Sequence, residues 1–228
     1  MIVCYNILYK VLNIPNWEDK LHMSTRIYDC LKAIGDKIIE NKDFLTDLDR
    51  EIGDADHGVN MARGFQSVIE KVSQDDPDIG ACLKKTGMTL LSTVGGASGP
   101  LYGTAYMEAG KVLMGKDSLS AEDLKLALEA AIAGIQKRGK AEKGEKTMLD
   151  SLIPAYDVYS EKIASGASIV DALDAACVAA NEGIEYTKTI AATKGRASYL
   201  GDRSIGHQDP GATSLTYTLE TIRDFIKG

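Results

Sequence analysis

The sequence predicts an all-α fold, and three observations carry that expectation. Apolar residues recur at i, i+3, i+4 and i+7 through most of the chain, the spacing of helices that bury one face. Sustained alternation of apolar and polar residues, the mark of a half-buried strand, is almost absent. Caps and breakers cut the periodic stretches into about eight segments with mostly short connections, and short links between long helices force antiparallel neighbours. The expected architecture is an eight-helix antiparallel up-and-down bundle or closed barrel.

In chain order the first helix spans 24–41 and opens on Ser24, a good N-cap. Helices over 59–73 and 78–94 follow, then one over 99–114, where Ser98 is placed as a cap and Pro100 suits a first turn. Helices 120–137 and 168–188 open on Ser120 and Ser168, with Asp123 and Asp171 at the third position to complement the helix dipole. Helix 147–164 lies between them, and the last, 210–226, has Pro210 in first place behind Asp209. Three connections are instead long, glycine-containing and polar: 42–58, 138–147 and 189–209. Function is expected there, because a structureless loop of about twenty residues is uncommon in a compact domain unless it binds something or is disordered. The last carries Lys194, Gly195, Arg196, Arg203 and His207, which favours a cationic binding loop over a plain linker.

With 228 residues, 44% of them hydrophobic, the chain is long enough for one domain with a substantial core. A net charge of −7 gives no general attraction to nucleic acid or anionic lipid, so neither is an expected partner. Cys4, Cys30, Cys82 and Cys177 form no CxxC pair, which argues against a zinc site or disulfide framework and fits reduced thiols in a cytoplasm. The apolar opening is broken by Asn6 and Lys10 and lacks a basic leader, so it fails as a signal peptide. No other stretch approaches the ~20 apolar residues of a membrane span. Residues 1–22 are expected to be an extension of unknown role outside a core domain at 23–228.

The densest chemistry lies at Asp49, Asp54 and Asp56, with Gly53 and Gly58 on either side of the last two. Carboxylate oxygens are hard ligands suited to Mg²⁺ or Ca²⁺, and Mg²⁺ is usually held by a few carboxylates with phosphates and water completing its shell. An extended backbone would point Asp54 and Asp56 to the same side, and the glycines offer backbone freedom, positive φ included. An acidic solvent loop explains the trio about as easily.

Gly95-Gly96-Ala97-Ser98-Gly99-Pro100 runs straight into a helical pattern and resembles a phosphate cradle, glycines admitting an anion close to free N–H groups at a helix start. A tight turn between packed helices is the other explanation. Asp209-Pro210-Gly211 repeats the logic, and Asp56-His57-Gly58-Val59-Asn60 also enters a helix. In an antiparallel bundle such starts can share one end. Helix N-termini with Lys194 and Arg196 favour phosphates, which the aspartates repel unless a cation intervenes. The combination specifies a metal-bridged polyphosphate site. His57 and His207 can each donate to phosphate oxygens, His57 being favoured by its place beside the aspartates. Ordinary capping or turn stabilisation is the alternative for both.

Four segments, Gly53 to Met61, Gly95 to Thr104, Arg138 to Met148 and Lys194 to Thr213, together resemble the L-subunit family of dihydroxyacetone kinases, from about residue 24 to the C-terminus. The resemblance implies a barrel of eight antiparallel helices with the nucleotide, ADP or ATP, at one end. It implies two Mg²⁺ ions on Asp49, Asp54 and Asp56. It implies nucleotide contacts from His57, Gly58, Val59 and Asn60, from Ala97 and Ser98, from Gly139 and Met148, and from Arg196, Asp209, Pro210 and Gly211. Met148 would pack on the adenine, its thioether filling an apolar slot.

In that family a separate K subunit holds dihydroxyacetone, and an M subunit of the phosphoenolpyruvate phosphotransferase system recharges the bound ADP. The expected function is to relay the phosphoryl group between them, with Arg196 as the cation that stabilises its transfer. The closest alternative is an ATP-dependent kinase subunit, for dihydroxyacetone or a related small hydroxyketone, that exchanges its nucleotide. A non-enzymatic helical module binding a lipid or a partner in the bundle interior is a third reading, which the coincidence of aspartates, glycine turn and cationic loop disfavours.

Overall fold

The computed structural model describes residues 17–73, 76 and 78–228, with side chains from Arg26 onward. Among the described residues there is no strand. The helices are α1 (Trp17–Glu40), α2 (Lys42–Ile52), α3 (His57–Lys71), α4 (Ile79–Thr93), α5 (Ser98–Val112), α6 (Ala121–Gly139), α7 (Leu149–Ala164), α8 (Ile169–Thr187) and α9 (Pro210–Lys227). A 3-10 segment, Arg196–Ser204, lies between the last two. Leaving α2 aside, each helix packs on the ones before and after it, and α9 packs back on α1. Eight helices thereby close a ring, the expected barrel.

Ring neighbours joined by short links run antiparallel, so alternate helices begin at the same end. His57, Ser98, Met148 and Pro210, at the starts of α3, α5, α7 and α9, indeed line one cleft. The opposite end carries the starts of α4, α6 and α8, each closed by its own cap. Asp78 accepts from the Ala81 N–H at 2.8 Å, Ser120 and Asp123 form a full capping box, and Ser168 accepts from the Asp171 N–H at 3.1 Å. Inward stripes such as Leu31, Ile34 and Ile38 on α1, Met61, Phe65 and Val68 on α3, and Leu215 and Leu219 on α9 supply the core. They leave an apolar cavity of about 420 Å³ within the ring.

Three expectations about elements are corrected. Residues 42–58 are not one loop, because most of that stretch is the helix α2. Its buried residues Leu45, Asp49 and Ile52 do have helical spacing, but an aspartate occupies a position where periodicity looks for an apolar side chain. Nor is 189–209 structureless, since the 3-10 segment fills its middle. α1 begins at Trp17, upstream of Ser24, so the boundary expected after residue 22 falls inside that helix. Residues 1–16 lie outside the described residues.

Candidate functional site

The cleft at the end of the barrel where α3, α5, α7 and α9 begin has a volume of about 320 Å³. Its acidic wall is made where α2 ends and α3 starts. One carboxylate oxygen from each of Asp49, Asp54 and Asp56 lies within 4.8 Å of the other two. Asp49, in the last turn of α2, accepts the backbone N–H of Asp56 at 2.8 Å and of His57 at 3.1 Å. It therefore caps α3 from seven residues upstream. Asp56 holds the N-cap position but makes no side-chain cap hydrogen bond, which leaves its carboxylate free to face the other two.

The local backbone differs from the expected extended ligand loop. Ala55 between the aspartates is left-handed, at φ 59°, so a turn rather than alternation brings Asp54 and Asp56 together. Gly53 has φ −142°, and its role is space: a Cβ there would stand 2.1 Å from Asp49 Oδ1. Gly58 is helical and packs against α2, where a Cβ would meet the Lys42 carbonyl at 2.0 Å.

Three carboxylates this close repel one another, so the cluster favours a cation among them. The donor set is all hard oxygen, which fits Mg²⁺ or Ca²⁺. A protein cation also reaches it, with Arg196 Nε 2.7 Å from Asp54 Oδ2. That ion pair ties the 3-10 segment to the acidic wall.

A buried polar network joins three of the helix starts. The His57 ring lies between Ser98 Oγ at 3.1 Å and Ser214 Oγ at 2.9 Å. Ser214 Oγ meets the Tyr102 hydroxyl at 2.6 Å and the Gly211 carbonyl at 3.2 Å. The starts of α3, α5 and α9 are thus held at fixed spacing. Burial pushes the His57 imidazole down to about 4, so it is neutral near pH 7, one nitrogen donating and the other accepting. Both ring nitrogens meet protein hydroxyls, so the ring ties together the helix starts around the cleft that it lines. Ser98 likewise is the first residue of α5 and not its cap; Ala97 precedes the helix without a side-chain hydrogen bond, and Gly96 makes the turn at φ 63°.

The start of α9 matches expectation. Asp209 accepts the Ala212 N–H at 2.7 Å, with Pro210 first in the helix. Burial raises the Asp209 carboxyl to about 7, the Ala212 hydrogen bond opposing and the nearby Asp150 charge adding to the rise. The apolar part of the cleft lining includes Leu101, Ile135, Ala141 and Met148, with Gly139 and Arg138 also lining it. Met148 is buried and immediately precedes α7, again without a side-chain cap. The lining thus offers both apolar side chains and, at the carboxylates, the helix starts and Arg196, groups suited to a metal-bound anion.

Of the residues expected to act, Asp49, Asp54, Asp56, His57, Ala97, Ser98, Gly139, Met148, Arg196, Asp209, Pro210 and Gly211 all line this cleft. Gly58, Val59 and Asn60 do not. Asn60 is buried and accepts from Arg63 at 2.8 Å, while Val59 points to solvent. His207 lies outside as well, with Nδ1 3.7 Å from Glu51. Sequence reasoning missed Ser214, Tyr102 and Lys146. Ser214 sits one turn beyond Pro210, so helical spacing from that start was a usable signal; nothing in the pattern singled out Lys146.

Comparison with known proteins gives the family. The model of the DAK2 domain matches residues 51–224. The chain belongs to the DAK2 domain family. That match begins two residues after Asp49, which the structure nonetheless brings into the cluster. The PEP-dependent dihydroxyacetone kinase ADP-binding subunit of Escherichia coli K12 is 48% identical over 199 residues, covering 87% of this chain and 95% of that one. The PTS-dependent ADP-binding subunit of Lactococcus lactis IL1403 is 41% identical over 197 residues, covering 86% and 94%. The crystal structure of the dihydroxyacetone kinase of C. freundii, at 24% identity and a TM-score of 0.67, has the same fold. This DAK2 chain covers 87% of its own length in that comparison and about a third, 34%, of the solved chain. Among the described residues no helix is long and apolar enough to cross a membrane.

Proposed function

We propose that this chain is the nucleotide-holding subunit of a dihydroxyacetone kinase. It would keep ADP bound, accept a phosphoryl group on it from an M subunit of the phosphotransferase system, and present that group to dihydroxyacetone on a K subunit. The observation that carries this reading is the convergence of three carboxylates and four helix starts on one cleft. A carboxylate trio alone repels a polyphosphate and helix starts alone attract one, so their union calls for a nucleotide bound with metal. The names of the E. coli and L. lactis relatives point the same way.

Asp49, Asp54 and Asp56 would hold two Mg²⁺ ions. When bound, Mg²⁺ supplies charge neutralisation on the phosphate oxygens. The starts of α3, α5 and α9 direct N–H groups toward those oxygens, and the wall of Leu101, Ile135 and Met148 holds the base. Arg196, able to leave Asp54 for the transferred group, stabilises charge that develops on it. Gly58, Val59 and Asn60 would contribute by backbone position at the start of α3. Residues 23–228 form the functional unit, and the reduced thiols Cys30, Cys82 and Cys177 suit a cytoplasmic protein.

Mass spectrometry of nucleotide released from the purified chain, followed by reconstitution with K and M subunits, tests the proposal. ADP retained through purification and turnover with phosphoenolpyruvate is expected. Exchangeable ATP and turnover without the M subunit would replace the relay with the ATP-dependent alternative. Turnover by the chain alone would remove the half-site mechanism altogether.

A further inference from the structure

Lys146 is the only lysine or arginine among the described residues that is fully buried, at 1% exposure, and nothing above gives it a task. An ammonium carries three N–H donors. Three backbone carbonyls take them: those of Thr187 and His207 in short contacts, and that of Ile190 at 3.4 Å. Thr187 is the last residue of α8, and His207 lies two residues before Asp209, the cap of α9. One side chain therefore grips both ends of the segment that carries Arg196.

The surroundings explain how a buried cation is tolerated. The C-terminal carbonyls of α8 present the negative end of the helix dipole, and Asp209 and Asp150 stabilise the charged form further, against a desolvation that lowers the Lys146 pKa. Asp150 also fixes the turn on which Lys146 rides, accepting from Gly144 N–H at 2.5 Å and Thr147 N–H at 2.7 Å. Lys146 itself is left-handed, at φ 60°, a cost that persists only where the surroundings hold it. With its donors all engaged by carbonyls, the ammonium has none left for a ligand.

We infer that Lys146 is a positioning residue, a clamp that sets the 188–208 segment and the start of α9 so that Arg196 and the Asp209 cap face the phosphates. The inference rests on the reading of the cleft as a nucleotide site. Without the clamp the segment samples other positions, and apparent affinity falls in proportion to the competent fraction.

The test compares the full-length wild type with Lys146→Met and Lys146→Arg, by hydrogen exchange without ligand and by calorimetric titration with MgADP. In Lys146→Met, amides of 188–208 should exchange faster while those of α4 to α6 keep wild-type rates. A competent fraction reduced to about a tenth raises the MgADP Kd about tenfold. Lys146→Arg, which retains a charged donor, should recover part of both effects. Wild-type exchange and affinity in Lys146→Met, or faster exchange spread evenly over all helices, would overturn the clamp while leaving the nucleotide reading intact. A wild type that binds no MgADP would overturn that reading and the clamp's purpose with it. Should Lys146→Met not fold, Ser204→Ala loosens the same segment from within, because Ser204 Oγ accepts the Ala192 N–H at 2.8 Å. It must then show faster exchange together with weaker MgADP binding, and faster exchange at unchanged affinity would overturn the proposal.

Discussion

The two ends of the barrel are built from the same helices and finished differently. At the far end α4, α6 and α8 are each capped by their own Asp78, Ser120 or Ser168 side chain, so their first N–H groups are already satisfied. At the site end the residues before α3, α5 and α7, namely Asp56, Ala97 and Met148, make no side-chain cap hydrogen bond, and Asp209 before α9 is the exception. α3 borrows its cap from Asp49 on another helix. A capped start contributes stability; an uncapped one offers its N–H groups to an anion. Every start at the far end is capped by the residue just before the helix, whereas at the site end only α9 is: α3 takes its acceptor from Asp49, α7 takes one from Thr147 Oγ1 at 3.2 Å, and α5 has no side-chain cap.

The largest expected effect sharpens the contrast by removing the site end's arginine, which pairs with Asp54. Arg196→Ala should lower kcat in the reconstituted kinase by about a thousandfold, as loss of a transition-state arginine does, with little change in thermal stability. A drop confined to KM would assign Arg196 to ground-state binding. Next comes Asp56→Asn, which should weaken Mg-dependent nucleotide binding by at least about 100-fold, since even outer partners of a metal site are worth 10–100-fold. Calorimetric titration with MgADP checks it, and a circular dichroism spectrum like the wild type's shows that the helical fold is intact.

His57 gives the site end a pH dependence of its own. Its folded pKa of about 4 lies below the ordinary 6.5, so the stability it contributes is present above pH 6.5 and is lost as pH falls toward 4. At 1.36 kcal/mol per unit the 2.5-unit difference amounts to about 3 kcal/mol. Urea unfolding across that range should show His57→Gln losing less stability than the wild type; parallel curves would contradict the buried neutral imidazole.

The smallest effect belongs to the far end. Ser120→Ala should lower unfolding free energy by about 1 kcal/mol and leave MgADP affinity unchanged. A change in affinity would mean that the two ends are coupled through the barrel.

Much of this architecture was legible in the sequence because it is written in short-range terms. Helical periodicity, the Ser120 and Ser168 caps and the Asp209-Pro210 start are decided by residues within one or two turns of one another, and each stands as expected. The same locality explains the errors. α2 does not stand out in the sequence because its buried face includes Asp49, whose value lies in contacts to α3 that only the fold supplies. The Asp54 and Asp56 pairing was expected from extended backbone but depends on a left-handed Ala55. The contact of His57 with Ser214, 157 positions away, has no counterpart in local sequence.

By itself, then, the sequence determined the helices, their antiparallel order and the chemical types gathered in the polar connections, because backbone hydrogen bonding, capping and hydrophobic periodicity act over a few residues. Only the tertiary structure decided which of those residues meet. Ring closure of α9 onto α1, the alternation that sets four helix starts at one end, the His57–Ser214–Tyr102 network and the Lys146 clamp on distant carbonyls all join residues far apart in the chain. Their energies come from burial and from geometry in three dimensions, and no local pattern records them.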